Sequence, residues 1–153
     1  MPRFILAVAL LCCSLPGLAS PTALRVPPDN RMSIEVSASE RNQLLTEMRE
    51  FLHGLHSIQL ALAKKDMKAV AVIAKPMGPL LDRITASLRD KLPEQFQELA
   101  IAQNEAFQNL ARIAENKGEI GAALEQTAEI MTYCSGCHDG FRFELKTPAK
   151  ARR

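Results

Sequence analysis

Tryptophan is absent from this 153-residue chain, and tyrosine occurs once, at Tyr133. Six phenylalanines bring the aromatic share to only 5%, which leaves no platform on which nucleic-acid bases could stack. Charge of one sign is also lacking: 19 Lys and Arg against 17 Asp and Glu give a formal net charge of +2. With no basic patch interleaved with aromatics, nucleic acid is excluded as an expected partner. No apolar run reaches the roughly 20 residues a membrane-spanning helix needs, so stable membrane insertion is not expected. The length allows one domain with one core.

Cysteine is scarce too, and the positions of the four cysteines are informative. Met1-Pro2-Arg3 is a short basic segment, Phe4 to Leu15 is apolar, and small residues follow. That is the pattern of a secretory signal peptide spanning 1–19, with cleavage after Gly17-Leu18-Ala19. A lipoprotein reading of Cys12 or Cys13 is weak, because Leu11 and Cys12 stand where a small residue is needed. Cleavage removes Cys12 and Cys13, so the mature chain keeps only Cys134 and Cys137 and has no third cysteine for a structural disulfide. The expected address is the bacterial periplasm.

Those two cysteines belong to Cys134-Ser135-Gly136-Cys137-His138. Cys-X-X-Cys-His is the spacing that attaches haem c. Each thiol adds to one vinyl group, and the adjoining histidine becomes the proximal iron ligand. On a helix Cys134 and His138 share a face, with Cys137 beside them. A thioredoxin-like redox pair would open a helix in a βαβ setting, whereas this motif closes a long helical stretch. A zinc site needs four ligands, and the only other histidines are His53 and His56. One covalent haem c with its iron is therefore the expected cofactor.

Residues 20–36 hold several prolines and no sustained periodicity, and read as an irregular lead. Ser37-Ala38-Ser39-Glu40 is a capping box, and the stripe Leu44, Met48, Phe51, Leu55, Ile58, Leu62 carries a helix to about Lys65. Asp66 caps a second helix through Met67, Val70 and Ile73. Pro76-Met77-Gly78-Pro79 breaks it, and helical pattern resumes at Leu80, Leu81, Ile84 and Leu88. Pro93 suits the first turn of a third helix, with Phe96, Leu99, Gln103, Phe107, Leu110 and Ile113 on one face. Gly118 ends it, and a fourth runs from about Glu119 to about Phe143. Nothing reads as a strand. The expected fold is all-α, an antiparallel up-down-up-down four-helix bundle over 37–145, with a basic tail at 146–153 read as a solvated end.

A haem attachment motif at the end of the last of four helices resembles class II cytochromes c, the cytochrome c′ family. The pairing of that family with a four-helix bundle is a general one. Class I cytochromes c carry the motif near their N-terminus. The resemblance covers roughly residues 38–143, but only Cys134-Ser135-Gly136-Cys137-His138 and the following Phe141-Arg142 are specific. The Pro76–Pro79 break departs from the family pattern and looks like a smaller branch of the class. The resemblance implies that Arg142 lies near a haem propionate and that the first helix supplies the residue over the distal face of the iron. It also implies pairing of two copies through the first two helices, although a bundle that folds alone reads much the same.

Antiparallel level picks out the distal candidate. His138 is ~8 Å from its expected helix end and Met48 ~16 Å from its helix start, against ~24 Å and ~28 Å for His53 and His56. Met48 is thus the expected distal ligand. The bland alternative is a gap-filling core methionine, with Leu44, Leu45 or Leu52 covering an empty iron site. A His/Met pair favours electron transfer with redox partner proteins, whereas an empty site favours capture of NO or CO. No catalytic acid–base constellation stands outside the motif, so an enzyme is not expected.

Overall fold

The structure is a computed structural model that describes residues 28–116 and 118–146. The expected signal peptide, residues 20–27 of the lead and all but the first residue of the basic tail lie outside the described residues. What is described is mostly helical, and the coarse expectation of a helical fold holds.

Two strands correct the expectation that none exists. β1 (Met32–Val36) lies in what read as an irregular lead, and β2 (Phe141–Leu145) takes the last turn assigned to the fourth helix. They pair in parallel, Met32 beside Phe141 and Val36 beside Leu145. Alternation explains β1: Ile34 and Val36 turn inward while Met32, Ser33 and Glu35 face out, as a half-buried strand requires. Phe96 holds β2 down, packing edge-on against Phe141 at 5.3 Å and Phe143 at 6.0 Å.

α1 (Ala38–Ala63) starts where the capping box placed it. Ser37 Oγ accepts from the Glu40 amide at 3.2 Å, and the Glu40 carboxylate accepts from the Ser37 amide at 2.7 Å. The Lys91 ammonium, 2.7 Å away, ties the same carboxylate to a later segment. Lys91, and then the Ser37 amide, hold the Glu40 carboxyl down at about 2. α1 closes with Lys65 in the left-handed region at φ 59°. Asp66 then caps α2 (Met67–Ala74) by accepting from the Ala69 amide.

The break at Pro76–Pro79 is present and rests on Gly78. Its φ is 108°, and a Cβ there would stand 2.7 Å from Asn104 Cα, so the close approach demands glycine. Beyond it the expected continuous helix is instead two single turns, α3 (Leu80–Arg83) and α4 (Ala86–Arg89). Ile84, at ψ 157°, and Thr85 are extended between them. Both are β-branched, a side-chain type that sits better in extended backbone than in a helix.

α5 (Glu94–Glu115) begins one residue after Pro93, which occupies the cap position rather than the first turn. α6 (Ile120–Gly140) follows and ends three residues earlier than expected. α1 packs closely on α2, α2 on α5 and α5 on α6, whereas α1 and α6 touch only sparingly. Phe51 of α1 stacks on Phe107 of α5 at 6.0 Å in the core between them. The strand pair ties the start of α1 to the end of α6.

Candidate functional site

Cys134, Cys137 and His138 lie in the last two turns of α6, helical to Gly140. Helical repeat divides α6 into two flanks around its buried line, Ala123, Thr127 and Ile130. One flank faces α5, because a Cβ on Gly136 would meet Leu99 at 3.5 Å. The other carries Leu124, Met131 and His138 at heptad spacing, hence on one face. Cys134 sits half-buried on the buried line itself and Cys137 half-buried on its α5 side, and both are free thiols.

α1 divides in the same way. Glu47 pairs with Arg83 at 2.7 Å, and a Cβ on Gly54 would collide with the Met77 side chain. These contacts mark the flank turned to the segment around Pro76–Arg83. On the other flank stand Leu45, Met48 and Leu52. The open flanks of α1 and α6 therefore border the seam at which these helices scarcely touch.

Both flanks are apolar beyond what a finished surface needs. Leu45 and Leu52 are 37% and 67% exposed, and Leu124 and Met131 are 46% and 54% exposed. Met48 is half-buried and packs against the core. Leu44 is fully buried, so it is removed from the seam. His53, His56 and His138 are exposed.

Burial sets the thiol chemistry. It pushes the Cys134 thiol up and, with Cys134 close by, drives Cys137 to about 11. Both are thus held in the thiol form at neutral pH, unlike a thioredoxin-type pair with its activated thiolate. Cys134 Sγ donates to the Ile130 carbonyl at 3.5 Å and accepts from Gln103 Nε2 at 3.7 Å. Sequence reasoning missed Gln103 as a site residue. Its signal was a polar residue inside the apolar stripe of α5.

Arg142 lies in β2, close to the motif, and its guanidinium is engaged. It pairs with Glu144, donates to the Arg31 carbonyl at 3.3 Å and lies 3.9 Å from Asp29. Arg31, also missed, donates to the His138 carbonyl at 3.2 Å and is forked onto Asp29. Two guanidinium groups therefore stand at the β-strand end of the seam. The hydrogen-bonded Arg31 guanidinium holds the Asp29 carboxyl at about 2.

Among the described residues, no group of three or more His, Cys, Asp or Glu is placed to hold a metal ion. A metal at His138 would need donors of other types than these. Two open grooves lie elsewhere, one of ≈ 470 Å³ against Met67, Ala71, Val72 and Ala114, one of ≈ 330 Å³ against Gly78, Arg89, Gln97 and Asn104. Neither touches the motif, and neither gathers titratable groups around a nucleophile. No helix among the described residues is long and apolar enough to cross a membrane. Comparison with protein-family models, with curated proteins and with solved structures gives no match.

Proposed function

We propose that this chain is an exported electron-carrying cytochrome of class II type, with one haem c bonded to Cys134 and Cys137 and seated in the α1–α6 seam. The observation that carries the reading is the seam itself. An exposed imidazole with Leu124 and Met131 lines one side, beside two half-buried free thiols, a methionine between two exposed leucines lines the other, and the two helices scarcely touch. A flat apolar macrocycle fits such a slot, burying Leu45, Leu52, Leu124 and Met131, whose exposure is otherwise unfavourable. In the bundle proposed, α1 and α6 run antiparallel as neighbours.

The donor set suits the group. In each attachment the thiol S–H adds across one vinyl double bond. Sulfur bonds to one carbon, the proton goes to the other, and no oxidant is needed. Haem supplies a reversible one-electron Fe(III)/Fe(II) couple. Cys134 and Cys137 anchor it, and the His138 imidazole holds the iron. The carbonyl contact from Arg31 fixes the end of α6 on which that imidazole stands. Arg31 and Arg142 stand at this end paired with Asp29 and Glu144, and would exchange those partners to meet the carboxylates of a bound macrocycle.

Met48 is the proposed distal ligand, because it stands on the flank of α1 that borders the seam, between Leu45 and Leu52, and carries a soft thioether donor. The second reading is a five-coordinate haem that captures NO or CO. The packing of Met48 against the core favours it.

Intact mass of the exported protein tests the proposal. One haem added to the mature polypeptide and retained through acid-acetone extraction is expected, with loss of the haem when both cysteines become Ala. A protein that never takes up haem, or that releases it to acid-acetone, refutes the reading.

A further inference from the structure

Gln103 is 7% exposed in the middle of α5, on the face that also carries Phe96, Ala100, Phe107 and Leu110. A carboxamide in such surroundings is unfavourable unless hydrogen-bonded. The partner recorded for its Nε2 is Cys134 Sγ at 3.7 Å, and sulfur is a weak acceptor. Leucine or methionine would fill the same space without a polar group to satisfy. Packing therefore does not account for a glutamine here.

The chemistry of the cysteine supplies an account. As a thiol, Cys134 gives its proton to the Ile130 carbonyl, and its lone pairs face the Gln103 amide. As a thioether it has no proton and can only accept. A carboxamide could face a thiol with either end, but it faces a thioether favourably only with N–H. With a haem bonded to Cys134, the positive end of the amide dipole would be turned toward that attachment in surroundings of low polarity, where a dipole acts strongly.

We propose that Gln103 is a positioning and tuning residue for the haem: its buried N–H, held on the Cys134 sulfur, raises the reduction potential by favouring the electron-rich Fe(II) state. The inference rests on the haem reading above. It adds a residue from α5, a helix that carries none of the attachment or ligand residues.

The test is spectroelectrochemical titration of holoprotein carrying Gln103→Met or Gln103→Leu, alongside thermal melting of each. Both variants put an apolar side chain of similar size in its place and lack the donor. The expected result is a lower potential in both, of about threefold in the sharing of an electron with a mediator, or roughly 30 mV for a one-electron couple. Melting should stay level or rise, since a poorly satisfied polar group has left the core. Unchanged potential in both variants overturns the proposal, and lowered melting with unchanged potential assigns Gln103 to packing. Variants that are exported but take up no haem also overturn it, because Gln103 would then serve attachment rather than tuning. Absence of haem from the unsubstituted protein removes the haem reading itself, a result separate from all of these.

Discussion

Met48→Leu separates the two proposed haem chemistries because it changes the atom available to iron while nearly conserving volume. Met48 is half-buried and packs on the core rather than filling its centre. A volume-conserving apolar swap in a core costs under roughly 1.5 kcal/mol, and partial burial places this one toward the low end. For a domain of this size that is a fall in melting temperature of no more than about 8 °C. Ligation by the thioether makes a much larger spectral change. The oxidised protein should lose its sulfur-to-iron charge-transfer band, its reduction potential should fall, and the reduced protein should bind CO without displacing a ligand. Absorption spectra in both oxidation states, with and without CO, are the assay. The reasoning is refuted if unsubstituted protein is already high-spin and binds CO as readily as Met48→Leu. Met48 would then be core, and the gas-binding reading would take first place.

Three further outcomes test the scaffold. Ser37→Ala removes one half of the capping box of α1 and should lower stability in urea by about 1 kcal/mol; no change would mean that β1 alone sets the start of the helix. The Glu40 carboxyl, held at about 2 in the fold against 4.5 ordinarily, stabilises the protein fully above the ordinary value. That contribution fades as pH falls through about 2. Glu40→Gln should therefore flatten the acid limb of a stability–pH curve between about 4.5 and 2, and an unaltered limb would rule out the pair with Lys91 as its source. Gly78→Ala forces a side chain into φ 108° and against Asn104, which should cost roughly 1–3 kcal/mol in melting experiments. A neutral result would show that the Pro76–Pro79 turn can be rebuilt without its glycine.

Local signals were readable where a few neighbouring residues decide the structure. The Ser37–Glu40 box, the Asp66 cap and the Pro76–Pro79 break each act within about four residues, and each stands where the sequence puts it. The strands were not legible because neither is stable alone. Met32–Val36 follows a proline-rich stretch, and its partner lies at Phe141–Leu145, beyond every helix. Its period-2 signal is only two buried residues, Ile34 and Val36. For the same reason α6 read as running on to Phe143, since Phe141 and Phe143 continue an apolar pattern that a helix or a strand could use. The motif at Cys134–His138 was plain as a string of residues. The open seam beside it was not, because it depends on which helices pack and which do not. Gln103 showed as one polar residue in an apolar stripe, but only the fold puts Cys134 beside it.

The parallel pairing of β1 with β2 has a consequence for the order in which the molecule assembles. Met32 and Phe141 are 109 positions apart, and closing a loop of that length in a free chain costs about 4 kcal/mol in entropy. Two short strands cannot offset that by themselves. They can join only after the helices between them have drawn their ends together, which makes this contact late in folding. Synthesis runs from β1 toward β2, so the first strand waits unpaired until the whole helical body has been made. The cysteine motif is the last helical segment to appear before β2. The end of α6, which carries Cys134–His138, is therefore tied to the start of α1 only in the last step of assembly.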